Sequence, residues 1–124
     1  MTSAVVYVRP DTSIAEAART LARHTFSALP VVNAKDAPVG IVSDTDLMRV
    51  LLAGAAGTVG DFMSAPVEII DELAAADDAI LRMRSRRIHH LPVVRDGKLV
   101  GMVTPGDVVR WFVENRLDSR ADLA

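Results

Sequence analysis

The sequence predicts an α+β fold made of two copies of one β-α-β-β-α unit, whose sheets pack face to face about a pseudo-two-fold axis. The first observation behind this prediction is the tetrapeptide Leu-Pro-Val-Val, which occurs at residues 29–32 and again at 91–94. The second is that residues 40–47 match residues 101–108 after one residue is lost between the two blocks. The lost residue falls in a predicted turn, where changes of length are tolerated. The chain is therefore an internal duplication.

Each copy contains a predicted β-hairpin. In the second copy, the apolar runs at 91–94 and 99–103 flank Arg-Asp-Gly-Lys. Asp-Gly between β-branched runs is a strong hairpin signal, because glycine tolerates the positive φ of primed turns. The first copy has corresponding strands at 28–32 and 39–42. Neither hairpin has a polar face, so both faces of each should be covered.

The remaining elements complete the two units, which we place at residues 1–57 and 58–116, with a tail at 117–124 that is polar enough to fray. A capping box at Ser13–Glu16 begins a helix that runs to about His24. The other predictions are strands at 5–8 and 67–70, helices at 44–52, 75–86 and 105–115, and a helical turn at 59–63. The first unit has no counterpart of residues 59–62, so one of its corners should be less well covered.

Composition limits the classes of function. The chain has 124 residues, of which 50% are hydrophobic and 4% aromatic, a net charge of −2 and no cysteine. The weak negative charge argues against a nucleic-acid binder, and the lack of cysteine excludes disulfides and thiolate metal sites. Since no apolar run approaches the roughly 20 residues of a membrane span, we expect no membrane segment and a cytoplasmic protein.

Two motifs carry the functional argument, Ser43-Asp44-Thr45-Asp46 and Thr104-Pro105-Gly106-Asp107. Ser/Thr-x-x-Asp resembles a capping box in which Asp replaces Glu, and on sequence alone capping is the simpler interpretation. The alternative is that each carboxylate accepts hydrogen bonds from ribose hydroxyls while the hydroxyl and the helix N-terminus hold a phosphate. The two roles are compatible, because a helix start has several free N–H groups.

Residues next to the hairpins offer further candidates, each with a structural alternative. His89 and His90 precede the second Leu-Pro-Val-Val, but two histidines without another ligand make a poor metal site. They are either a strand-entry pair or neighbours of a ligand. A basic run lies at the end of a predicted helix, where it suits the negative end of the helix dipole; phosphate contact is an alternative and RNA binding a weaker one. Its members are Arg82, Arg84, Arg86 and Arg87.

The paired motifs and the element order closely resemble tandem cystathionine-β-synthase (CBS) domains over about residues 1–115. The resemblance implies a regulatory pair that binds AMP, ADP, ATP or S-adenosylmethionine between its repeats and has no catalytic residues. It implies one composite site with Thr104 and Asp107, with His89 and His90 near its phosphate end, and with a base against Val6, Phe26 and Ala28. The other site would have Ser43, Thr45 and Asp46, with Ser27 and Ala28 facing the phosphate and walls from Ile69 and Ile88.

The resemblance leaves other functions open. A structural dimerisation module with empty clefts is the main rival. An enzyme ranks low, because the sequence has no cysteine nucleophile, no credible Ser/His/Asp triad and no glycine-rich phosphate loop. The helices at 44–52 and 105–115 are apolar on more than one face. We therefore expect a homodimer that forms through them, as CBS pairs commonly do.

Overall fold

The computed structural model describes residues 5–54 and 56–117 and has the expected α+β architecture, with two small sheets and five α-helices among those residues. A two-stranded sheet belongs to the first repeat and a three-stranded sheet to the second. In chain order the elements are α1 (Ile14–His24), β1 (Ala28–Val32), β2 (Pro38–Ser43), α2 (Asp44–Leu52), α3 (Val59–Phe62), β3 (Ile70–Asp71), α4 (Ala76–Arg86), β4 (Leu91–Arg95), β5 (Lys98–Val103) and α5 (Pro105–Phe112).

The two hairpins form as the sequence predicts. Strand β1 pairs antiparallel with β2, and β4 pairs antiparallel with β5. Asp96 and Gly97 both have positive φ, 51° and 79°, which is the geometry of a primed turn. The longer first hairpin is closed by Asn33, whose Oδ1 accepts from the N–H groups of Lys35 and Ala37 at 2.9 and 3.0 Å. Every residue of β1 is buried, which agrees with cover on both faces.

The strands predicted ahead of each hairpin are shorter than expected. Residues 5–8 do not form a strand, since only Val8 pairs, in a single parallel bridge to Val31. In the second repeat the strand is Ile70–Asp71 and not 67–70. The neighbouring strand has proline in both repeats, Pro30 and Pro92, and proline cannot donate to a ladder. Pairing therefore begins only beyond it.

The expectation of a poorly covered corner in the first repeat is wrong. Helix α3 starts the second repeat in sequence but packs against the first, where Val59 is fully buried in the core and Phe62 lies against it. The N–H groups of Val59 and Gly60 donate to Thr12 and Pro10 carbonyls, each at 2.8 Å. A Cβ at Gly60 would lie 3.0 Å from the Pro10 oxygen, so this close approach favours glycine. The connector between the repeats thus folds back over the first one.

The equivalent corner of the second repeat is a groove of about 260 Å³ between β3, α4 and α5, beside the half-buried Trp111. Helix α5 ends at Phe112 and continues as a π-helical turn at Val113–Leu117, so its α-helical part is shorter than predicted. The predicted tail lies outside the described residues after Leu117. Among the described residues, no helix is both long and apolar enough to cross a membrane.

Side-chain caps fix the starts of α1, α2 and α5, whereas α4 begins after Ala75 without one. Ser13 accepts from the Glu16 N–H at 3.1 Å, but Glu16 turns to Arg19 and does not complete the predicted box.

The two repeats contact each other through a backbone hydrogen bond, in which the Leu99 N–H donates to the Asp36 carbonyl at 2.8 Å. Residues ahead of β1 and β4 face each other across the same interface. The starts of α2 and α5 lie beside it.

Candidate functional site

The two motifs of the sequence form reciprocal capping boxes at the starts of α2 and α5. The Asp46 N–H donates to Ser43 Oγ, and the Ser43 N–H donates to Asp46 Oδ2, both at 3.1 Å. Thr104 and Asp107 do the same, at 2.9 Å from the Thr104 N–H to Asp107 Oδ2. The capping interpretation is therefore confirmed. Any ligand role of these residues therefore depends on whether their capping boxes line a cavity.

A third Ser/Thr-x-x-Asp sequence shows that the motif alone does not make a site. At the start of α3 the Thr58 N–H donates to Asp61 Oδ2 at 3.2 Å, as in the two motifs, but the Asp61 N–H donates to the Thr58 carbonyl and not to its hydroxyl. That box lies beside the core of the first repeat, and neither of its residues lines the two cavities described below. It therefore provides an internal comparison for the boxes at α2 and α5.

Each motif aspartate also holds an arginine one turn further along its helix. Arg49 Nη2 lies 3.1 Å from Asp46 Oδ1, and Arg110 Nη2 lies 2.5 Å from Asp107 Oδ1. The arginine side chains are 71% and 66% exposed, whereas the carboxylates are 19% and 12% exposed. The sequence carries this signal as Asp-x-x-Arg in both repeats, and our sequence analysis missed it.

The environment of Asp107 keeps it ionised. Burial alone would raise the pKa of this carboxyl group, but hydrogen bonds from the Thr104 backbone, the Arg110 guanidinium and the Thr104 hydroxyl together outweigh burial. Its pKa therefore lies below the usual value for aspartate. A partly buried, charged acceptor at a helix start can bind hydroxyl donors strongly.

A cavity of about 200 Å³ lies between the repeats in front of Asp107, and we call it the Asp107 cleft. The second repeat contributes polar groups to it, whereas the first contributes apolar walls. Seven of the predicted site residues line it: Val6, Phe26, Ser27, Ala28, His90, Thr104 and Asp107. Sequence reasoning missed four others, namely Val5, Pro30, Met102 and Arg110.

The predicted residues of the other site, which we call the Asp46 cleft, are less closely gathered. Ile69 is 37% exposed and its carbonyl accepts from Arg82 Nη1 at 3.1 Å, while Ile88 packs against the core of the second repeat. The repeat places Glu68 where Val6 stands in the first copy. Glu68 is held by Arg82 and Arg86 at 3.4 Å each. The two clefts are therefore unequal.

A wider polar cavity of about 730 Å³ lies between the starts of α2 and α5. Both motifs and both strand-entry segments reach it. Its lining residues are Ser27, Ser43, Asp44, Thr45, His89, His90, Thr104 and Pro105. Ser27, His90 and Thr104 also line the Asp107 cleft, so the two cavities are neighbours.

His90 bridges the repeats in this region. Its Nε2 lies 2.8 Å from Ser27 Oγ. Burial lowers the pKa of His90 most, the charge of His89 lowers it further, and Asp44 opposes them with a smaller effect. The pKa therefore lies below 6.5, and the ring is neutral at pH 7.

Two further predictions from the sequence were a metal site at the histidines, judged poor, and a phosphate contact by the basic run. Within the described residues no three His, Cys, Asp or Glu side chains gather where they could hold a metal ion. In the basic run, Arg82 and Arg86 pair with Glu68. Arg87 has φ of 53° and is the C-cap of α4. These contacts give the run a structural role at the end of its helix.

Known proteins resemble this chain along most of its length. A family model described as the CBS domain matches residues 1–53 and again 59–114. An uncharacterised protein of Methanopyrus kandleri is 31% identical over 111 residues, which cover 86% of this chain and 57% of that protein. The chain therefore spans little more than half the length of this relative.

Two solved structures extend the likeness to the fold. The structure of CBSX2 in complex with AMP has a TM-score of 0.79 and 31% identity, and the match covers 89% of this chain and 88% of that one. The CBS domain pair of MJ0100, in complex with 5′-methylthioadenosine and S-adenosyl-L-methionine, has a TM-score of 0.82 and 28% identity, with 94% of each chain covered. With two matched copies and the same architecture, this chain belongs to the CBS domain family and is a tandem CBS pair.

Proposed function

We propose that this chain is a regulatory module that binds an adenosine-containing nucleotide in the Asp107 cleft. One observation carries the proposal: a cavity between the repeats brings apolar walls of the first repeat together with an ionised, partly buried carboxylate of the second. Two solved relatives hold ligands of this class, AMP in one and 5′-methylthioadenosine with S-adenosylmethionine in the other. CBS pairs are regulatory modules and not catalytic ones.

Asp107 would bind the ribose. Its Oδ2 accepts from the backbone and hydroxyl of Thr104, and its Oδ1 accepts from Arg110. Each carboxylate oxygen can accept about two hydrogen bonds. The exposed Arg110 side chain can move toward solvent or toward a phosphate and leave Oδ1 to the ligand. The two ribose hydroxyls would then donate to the carboxylate.

The base would lie against the first repeat. Val6, Phe26 and Ala28 are among the apolar groups in the cleft, and a planar purine buries apolar area well against such groups. The phosphate would lie toward Ser27, His90 and Thr104, where the Asp107 cleft adjoins the polar cavity. His89 lines that cavity and would be a more distant neighbour.

The Asp46 cleft would be the weaker site. Ser43 and Thr45 face the polar cavity, whereas Asp46 lines neither cavity and stays in its cap. Ile69 and Ile88 would form its walls, with Ser27 and Ala28 opposite the ligand. The ligand is AMP, ADP, ATP or S-adenosylmethionine, bound as a regulatory ligand and not as a catalytic cofactor. The module would act in the cytoplasm on an effector protein.

We further propose that the module forms a homodimer. In α2 the side chains of Met48, Leu51 and Leu52 are 57%, 50% and 81% exposed. They border a groove of about 620 Å³ between α1 and α2. In the second repeat Val109 of α5 is 61% exposed. Burying such exposed apolar side chains against a second copy of the chain is energetically favourable.

A structural dimer with empty clefts is the rival function. The ionised carboxylate in the Asp107 cleft favours the ligand-binding function over it.

The first prediction concerns the motif aspartates. Asp107→Asn should weaken AMP binding at least tenfold, because hydrogen bonds to a charged acceptor contribute about 1.5–3 kcal/mol. Asp46→Asn should affect AMP less, since the Asp107 cleft stays whole. Isothermal titration calorimetry with AMP and adenosine measures both effects.

Asp61→Asn is the matched control, because it alters the same capping box at α3 away from the cavities. It should leave AMP affinity unchanged, because Asp61 is exposed and lines neither cavity, and asparagine keeps an acceptor for the Thr58 N–H. Thermal unfolding of all three variants checks that the fold is kept. If both Asp107→Asn and Asp46→Asn leave AMP affinity unchanged, the two aspartates only cap their helices and the proposed ribose contact is wrong.

The second prediction concerns pH. Because the pKa of His90 lies below 6.5 in the free protein, the ring is neutral at pH 7. A bound phosphate would favour the protonated ring and raise this pKa, so binding would take up a proton. AMP affinity should therefore rise as pH falls from 8 toward 6, whereas adenosine affinity should stay flat. Calorimetry at each pH tests this.

His90→Gln is the control for this experiment, since glutamine can keep a hydrogen bond to Ser27 but does not titrate. This variant separates the contribution of His90 to the pH dependence of AMP affinity from the contribution of the phosphate, whose second pKa is about 6. The groups that face His90 from its surroundings, His89 and Asp44, are unchanged in this variant. Identical pH profiles for wild type and His90→Gln would rule out the proposed contact.

The third prediction concerns assembly. Leu52→Glu and Val109→Glu place charges on the exposed faces of α2 and α5 and should convert a dimer into a monomer at micromolar concentration. Leu73→Glu is the control, because Leu73 is 89% exposed but lies outside both helices. Sedimentation velocity measures the mass. A wild-type monomer, or variants that remain dimeric, would contradict this interface.

A further inference from the structure

We propose that the groove of about 260 Å³ between β3, α4 and α5 is the docking site for a segment of a partner protein. The segment would be one helical turn like α3, with a β-branched and an aromatic side chain, but with a basic residue on its exposed side. We call this cavity the Trp111 groove. It shares only Asp107 with the Asp107 cleft and would take a polypeptide, so it is a site beyond the nucleotide site.

The core of the second repeat lacks the cover that α3 gives to the first. In the first repeat four core residues are between 0% and 4% exposed and belong to one cluster with Val59 of α3: Ile14, Val42, Leu47 and Val50. All four counterparts in the second repeat are only partly buried and line the Trp111 groove: Ala76, Val103, Val108 and Trp111. A contiguous apolar surface of this kind is typical of an interaction site.

The backbone at this corner is also unpaired in the second repeat. In the first repeat α3 donates two N–H groups, to the carbonyls of Thr12 and Pro10 at 2.8 Å each. The Gly57 carbonyl ahead of α3 accepts from the Ile14 N–H at 3.0 Å. Among the described residues, none of the three corresponding groups has a hydrogen-bond partner: the carbonyls of Glu72 and Ala74 and the N–H of Ala76. An incoming segment can therefore form the same three hydrogen bonds as α3.

The rim of the Trp111 groove is acidic. Asp71 and Glu72 line the groove. Helix α4 begins beside them and has Asp77 and Asp78 in its first turn. Arginines pair with Glu72 and Asp77, but no ion pair within the described part of the chain neutralises Asp71 or Asp78. The four counterparts in the first repeat carry no net charge: Arg9, Pro10, Ala15 and Glu16. The acidic rim therefore favours a basic partner.

These features define the chemistry of the partner segment. A β-branched residue would cover the open core as Val59 does, and an aromatic residue in place of Phe62 would pack against Trp111. Glycine would follow the β-branched residue, because in the first repeat a Cβ at Gly60 would lie 3.0 Å from a carbonyl oxygen. Lysine or arginine would replace Asp61, whose charge the acidic rim repels. The expected pattern is thus Val-Gly-Lys-Phe or a close variant, bound as a helical turn in a groove.

The probe is a peptide with the sequence of residues 56–64 and lysine in place of Asp61. Trp111 is the single tryptophan of the chain and the peptide has none, so its fluorescence reports on the groove. The emission should change with added peptide and saturate. The peptide that keeps Asp61 should bind about fivefold more weakly at low salt, and added salt should reduce this difference. In ¹⁵N spectra the amides of Ala74 and Ala76 should shift, whereas the amide of Val59, in the covered corner, should not.

Ala75→Lys is the blocking variant, because Ala75 is exposed and lines the groove. Its long, positively charged side chain should weaken binding of the lysine peptide about tenfold. Ala15→Lys is the matched control, since it adds the same side chain at an exposed position in the first turn of α1. It should leave peptide affinity unchanged, and thermal unfolding checks that both variants keep the fold.

Three results would overturn the proposal. They are a Trp111 emission without a saturable change, equal peptide affinity in wild type and Ala75→Lys, and equal affinity of the lysine and aspartate peptides. None of them bears on nucleotide binding, because titration with AMP tests the Asp107 cleft separately.

Discussion

The reciprocal bond between Thr104 and Asp107 is the interaction on which the candidate site depends. It ends strand β5, begins helix α5 and fixes the carboxylate in a partly buried position at the helix start. Because one carboxylate oxygen is used by the cap, the cap orients the other. A residue that stabilises the fold therefore also presents a charged acceptor to the space between the repeats.

Duplication makes that space but does not make its two halves alike. The same capping box occurs at α2, yet the surroundings differ at single positions. Glu68 replaces Val6, and Asp44 replaces Pro105. Each of these changes adds a negative charge to the half that contains Asp46. The third box, at Asp61, has the same bond from its N-cap N–H to the aspartate but lies at the start of α3, away from both cavities. Position in the fold, and not the motif, decides whether a cap can also be a ligand site.

The sequence predicted the hairpins, the helices and the capping boxes at α2 and α5, because these depend on local patterns and turn residues. The box predicted at Ser13 is half-formed, because Glu16 pairs with Arg19. It failed where partners are distant in sequence. The burial of Val59 in the first repeat depends on how the connector folds back, and periodicity carries no information about that path. Likewise Pro30 limits the pairing of residues 5–8 through a missing donor on another strand. Seven cleft residues could be inferred through the family resemblance. Arg110 was missed although its spacing from Asp107 repeats in both copies.

The central claim is that an adenosine nucleotide binds between the repeats at Asp107, and an NMR titration of the ¹⁵N-labelled chain with AMP tests it most directly. The amide resonances of Phe26, Ser27, His90 and Thr104 should shift together and saturate with one affinity, because they surround one cleft. Amides at the far hairpin turn, such as Asp96, should not move. Shifts confined to that turn, or no saturable shift at millimolar AMP, would contradict the account.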